Sequence, residues 1–136
     1  MKRAQVSLEF LLVFAAFMAF ITVFVSALPE VVSSAFFAMD LKSAQSLSQG
    51  IDYFSRESEF LGNGTSSEFS YQVFGEWAFL DSPPGIAVLH EGRQRLVELP
   101  ENVEVENPGF FSEKISLLAT KSGGKILVRV RGVQGD

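Results

Sequence analysis

The sequence predicts an α+β fold: one long N-terminal helix, apolar in its first half and amphipathic in its second, packed on a C-terminal antiparallel β-sheet. Three observations predict it. Phe10 to Leu28 runs without a single charge, seven apolar residues between Val32 and Leu61 recur at helical steps, and short alternating segments separated by turn signals fill the chain beyond Gly62.

The apolar run comes first. Nineteen helical residues rise by about 28 Å, close to the roughly 30 Å of a bilayer's hydrocarbon core. Only Thr22 and Ser26 interrupt it, and both hydroxyls can bond back to their own helix. Lys2 and Arg3 precede the run, so the positive-inside bias places the N-terminus in the cytoplasm and everything after Leu28 outside. Pro29 removes one helical hydrogen bond and is expected to kink the helix or let it start anew without abolishing it.

The second half of the helix follows over residues 29–61. Val32, Phe36, Met39, Leu47, Ile51, Phe54 and Leu61 are separated by steps of four, three, eight, four, three and seven, which keeps them on one side. Asp40, Lys42, Gln45, Gln49, Asp52, Arg56 and Glu59 occupy much of the remainder. Gly62-Asn63-Gly64 stops the helix, because these residues tolerate positive φ.

A β-rich head is expected over residues 62–136. Phe69, Tyr71 and Val73 alternate with Glu68, Ser70 and Gln72, the period of a half-buried strand. Further strands are predicted at Ile86 to His90, Arg95 to Leu99, Val103 to Glu106, Lys114 to Thr120 and Lys125 to Val130, with Gly123-Gly124 turning the last two into a hairpin. Short strands with tight connections imply an antiparallel sheet, which the amphipathic helix covers. The loops around Trp77 and Pro83-Pro84 and the segment Gly109-Phe110-Phe111 carry aromatics that read as exposed, either contacts between copies or edge packing.

Composition removes several functions. A net charge of −5, from 11 Lys and Arg against 16 Asp and Glu, argues against an unaided grip on nucleic acid or an anionic membrane face. Zero cysteines exclude disulfides, thiolate catalysis, lipid attachment through cysteine and zinc-thiolate sites. His90 is the sole histidine and falls in a predicted strand, where a structural role outweighs ligation. Glu104 and Glu106 lie two apart in a strand and share one face, opposite Val103 and Val105, as on a solvated sheet surface; Arg129 and Arg131 could pair with them. Neither a Gly-rich phosphate cradle nor a nucleophile elbow is found, so an enzyme is the weakest reading and no cofactor or metal is called for. Asn63-Gly64-Thr65 forms an N-glycosylation sequon in a predicted turn on the outer side of the membrane.

One residue does not fit a plain membrane anchor. Glu9 is the only charge between Arg3 and Glu30. A carboxylate at the edge of a membrane segment is costly unless something needs it. Basic residues, then Gln5-x-Ser7-x-Glu9-Phe10, then an unbroken apolar stretch resembles the class III signal sequence of archaeal type IV pilin-like proteins, over roughly the first 28 residues. The Gly-rich signals of archaellins are less similar. The resemblance implies a leader of residues 1–4, cut by a membrane prepilin peptidase between Ala4 and Gln5, and a retained helix over 5–28. It further implies a pilin-like fold and an assembly role for Gln5 and Glu9. The implied product is a structural subunit of an adhesion pilus, a helical homopolymer at the cell surface reached through a membrane intermediate and a membrane assembly platform.

Physical chemistry gives the arrangement a reason. Cleavage leaves an α-amine at Gln5 with an unperturbed pKa of about 7.7 to 8.0, a cation able to pair with Glu9 of its own subunit or a neighbour's. Phe10, Phe14, Phe17, Phe20 and Phe24 would line the filament core, gaining by packing because lipid is as apolar as their neighbours. Two rivals remain at this stage. A secreted binding protein could be cut after Val25-Ser26-Ala27, where small residues suit signal peptidase, and an uncleaved single-pass protein could bind a partner with its outer domain. A minor pilin is a variant of the leading reading.

Overall fold

The computed structural model describes residues 2–134, with side chains described over 5–132. The order of elements is α1 (Lys2–Leu61), β1 (Ser66–Asp81), β2 (Pro84–His90), β3 (Arg93–Glu98), β4 (Val103–Val105), β5 (Gly109–Ser122) and β6 (Lys125–Gln134). The chain forms two compact units, Met1–Ser34 and Ala35–Asp136. It is thus α+β, a long N-terminal helix and a curled, mainly antiparallel sheet.

The first unit is helix alone. Helical assignment runs through Pro29. Thr22 Oγ1 donates to Met18 O at 2.8 Å and Ser26 Oγ to Val23 O at 2.8 Å, so both hydroxyls are satisfied within the helix. The helix is long and apolar enough to cross a membrane, and none of its most apolar stretch is buried.

In the second unit, the helical residues from Ala35 onward lie over a six-stranded sheet of order β3-β2-β1-β5-β6-β4. Ala44, Leu47, Ile51 and Phe54 bury against Val73, Trp77, Phe79, Ile86, Val88, Ile115, Leu117, Val128 and their neighbours to make one core. The helix ends at Leu61 because Gly62 adopts φ 85°, its N–H still donating to Ser58 O at 3.2 Å. Gly123 and Gly124 make the expected two-residue turn, with Ser122 paired to Lys125.

Several expectations need correction. The buried residues of the helix are Ser33, Asp40, Ala44, Leu47, Ile51, Phe54 and Ser58, while Val32, Phe36, Met39 and Leu61 are exposed. Asp40, assigned to the polar side, is completely buried. The sheet is not wholly antiparallel, since β4 pairs parallel with β6, Val103 opposite Ile126 and Val105 opposite Val128. This pairing is possible because the chain leaves β3, crosses through Pro100 to Asn102 and enters beside β6 in the same direction. There Asn102 O accepts from Ile126 N at 2.8 Å. Trp77 is not in a loop; it is fully buried in β1, and Phe111 is buried in β5, whereas Phe110 is half exposed.

Candidate functional site

Two features of the molecule are unexplained by folding alone, and each belongs to one unit. In the first unit, Phe10, Phe14, Phe17, Phe20 and Phe24 are each more than half exposed. The i,i+4 pairs stack along the helix, Phe10 on Phe14 with centroids 6.4 Å apart and Phe20 on Phe24 at 6.3 Å. Gln5 and Glu9 are exposed, and Glu9 makes no ion pair among the described residues. Ala4 and the rest of the 1–4 leader lie outside the residues whose side chains are described.

The second feature begins with an irregularity in β1. Gln72 pairs with Lys114 and Glu76 with Ser112, so Val73, Phe74 and Gly75 face Glu113 alone. A bulge of this kind strands backbone donors that the neighbouring strand cannot reach. Asp40 reaches them from the helix: its Oδ1 accepts from Phe74 N at 3.0 Å and its Oδ2 from Gly75 N at 2.7 Å. A carboxylate taken wholly out of water is tolerable when donors of this quality surround it.

Gly75 is required by the same geometry. A Cβ there would stand 2.4 Å from Leu89 O and 2.7 Å from His90 Nδ1. The bulge turns Phe74 outward, where its ring stacks on Phe36 at 4.8 Å and 11°, with His90 edge-on to Phe36 at 6.5 Å. Between this part of the helix and β1 lies an open groove of about 360 Å³ lined by Met39, Lys42, Ser43, Ser46, Tyr71 and Phe74. Lys42 is its one charged lining residue and makes no ion pair among the described residues.

The remaining predicted residues are accounted for. Asn63 is exposed in the turn after the helix, where its Oδ1 accepts from Gly123 N at 3.2 Å. Thr65 of the sequon donates to Gly62 O at 3.0 Å. Glu106 pairs with Arg129 at 2.6 Å as the strand pattern allowed, but Glu104 pairs with Lys125 at 2.9 Å and not with Arg131. That contact holds the Lys125 pKa above its ordinary 10.5, chiefly through the hydrogen bond to Glu104 and then through its charge. Among the described residues, no group of three or more His, Asp or Glu is placed to hold a metal ion.

Sequence reasoning missed the Asp40 clamp and the groove it builds, although a signal was present. The step of eight from Met39 to Leu47 leaves two turns of helix without an inward residue; Asp40 and Ala44 fill it, with Asp40 seven and Ala44 three residues before Leu47. No protein-family model, curated protein or solved structure matches the chain.

Proposed function

We propose that this chain is a structural subunit of a type IV-like adhesion pilus of the archaeal kind. It is cut between Ala4 and Gln5, held in the membrane by its apolar helix, and polymerised through that helix into a surface filament. One observation carries the reading: a membrane-length helix with five exposed phenylalanines and a lone Glu9, which makes no ion pair among the described residues, precedes a head whose core is complete without it. A simple anchor has no use for the carboxylate; an assembling helix uses it to fix register against a cation of a neighbouring copy.

The test is composition and N-terminal sequence of purified surface filaments. The proposal expects this chain in them, beginning at Gln5, and expects Glu9→Gln to leave cleaved monomer accumulating in the membrane. A mature chain starting at Leu28 would assign it to secreted binding proteins. An uncleaved chain absent from filaments, and indifferent to Glu9→Gln, would make it a single-pass membrane protein.

A further inference from the structure

We infer that the groove beside the β1 bulge is the seat for the N-terminal end of a second copy, with Lys42 of one subunit pairing to Glu9 of another. This rests on the pilin reading and specifies the contact that sets register within it. The occupant is identified by complementarity. Among the described residues, Lys42 is the only charged one lining an otherwise apolar and hydroxyl-bearing groove. Glu9 is the only charge on the apolar helix between Arg3 and Glu30, and it adjoins the exposed Phe10–Phe14 stack.

Met39, Tyr71 and Phe74 offer those rings an apolar surface while Lys42 meets the acid at the rim. The α-amine released at Gln5 could neutralise Glu9 but provides no seat for Phe10. The arrangement gives the buried Asp40 a purpose as well. It is a positioning residue, holding the bulge that turns Phe74 outward to form one wall of the groove.

Zero-length carbodiimide coupling of wild-type filaments joins a carboxylate only to an amine it touches. Mass spectrometry of the digested filaments should find a peptide containing Glu9 joined to one containing Lys42. Filaments built from mixed heavy-isotope and light subunits should show that the bond links different chains. Glu9 coupled solely to the Gln5 α-amine, or to no amine, overturns the inference and leaves the pilin reading intact; absence of this chain from filaments overturns the reading itself.

Lys42→Glu gives a second readout, because the residue is exposed and its loss leaves the head's core untouched. Filament yield should fall by about tenfold, equivalent to roughly 1.4 kcal/mol. Exchanging both charges, Glu9→Lys with Lys42→Glu, should recover most of it. Wild-type yield from Lys42→Glu alone, or no recovery in the exchange, counts against the groove. Yield lost with Lys42→Glu but with a foreign chain coupled to Lys42 would show that a different protein occupies it.

Discussion

The two units of this chain handle apolar surface in opposite ways. In the head, Leu47, Ile51, Trp77, Phe79, Ile86, Ile115 and Leu117 are all but inaccessible, held between one helix face and one sheet face. In the N-terminal helix, Val13, Phe10, Phe20 and Val23 are about two-thirds exposed. Burying one such side chain is worth roughly 1.5–3 kcal/mol. The head has collected that free energy within its own fold, whereas the described part of the helix leaves these side chains uncovered. On the proposed pilin reading, hydrophobic substitutions should therefore be read by different instruments in the two units: stability in one, assembly in the other.

Leu47→Ala gives the largest expected effect. It should destabilise the head by about 2–5 kcal/mol, the transfer term plus the cavity left behind. Trp77 is the only tryptophan and lies in the same core, so its fluorescence reports head unfolding in urea with the full chain held in detergent. Phe20→Ala should leave that midpoint unchanged and lower filament yield instead. An equal loss of head stability from both substitutions breaks the distinction between the units.

Two carboxylates on α1 restate the contrast at the level of single charges. Asp40 is buried and accepts from two backbone N–H groups, while Glu9 is exposed with no ion-pair partner in its own chain among the described residues. Asp40→Ala strands Phe74 N and Gly75 N and should lower head stability by roughly 1–3 kcal/mol. Asp40→Asn keeps one acceptor and should lose less. Glu9→Gln should not move the urea midpoint at all, which sharpens the claim that its role lies between copies.

How far the sequence could be read follows the same division. The helix, its stop at Gly62, the strands and the Ser122–Lys125 hairpin follow from period and turn chemistry, which are local properties. The inward position of Leu47, Ile51 and Phe54 was legible for the same reason. Asp40 was not, because a charged residue in an apolar period reads as polar until its donors are known, and those donors exist only where β1 departs from regular pairing with β5, more than thirty residues away. The parallel β4–β6 pair was equally hidden, since strand direction within a sheet depends on the path between strands and leaves no trace in a three-residue Val-Glu-Val segment. Trp77 and Phe111 read as exposed because turn signals lie near them, Pro83-Pro84 beyond Trp77 and Gly109 just before Phe111, whereas β1 runs on to Asp81 and β5 begins at Gly109 itself.

Gly75→Ala tests the bulge from its other side. The added methyl would meet Leu89 O at 2.4 Å, so the backbone of β1 or β2 must shift. Overpacking of this kind should lower head stability by about 1–3 kcal/mol. Because the shift moves Phe74 with it, the Phe36–Phe74 stack should loosen, and line broadening of both rings in NMR spectra would register the change. A stable Gly75→Ala head with an unaltered ring pair would mean that the bulge is not held by close approach, leaving Asp40 as its sole support.

The smallest effect lies at the β4 edge of the sheet, where the charges are in water. Lys125 is exposed and bonded to Glu104 at 2.9 Å, and that carboxylate raises its pKa above 10.5 by hydrogen bond first and charge second. The group gains a proton affinity on folding, so its contribution to stability is fully present below 10.5 and disappears as pH rises through the folded-state value. Following the Lys125 ε-methylene by NMR should place its midpoint above 10.5 in the native head and bring it back toward 10.5 in Glu104→Gln. Added salt should shrink the difference, since solvent and ions screen a surface pair. The urea midpoint at neutral pH should scarcely register Glu104→Gln. This places the surface pair at the far end of the scale from Asp40, whose partners are fixed backbone donors that no salt can screen.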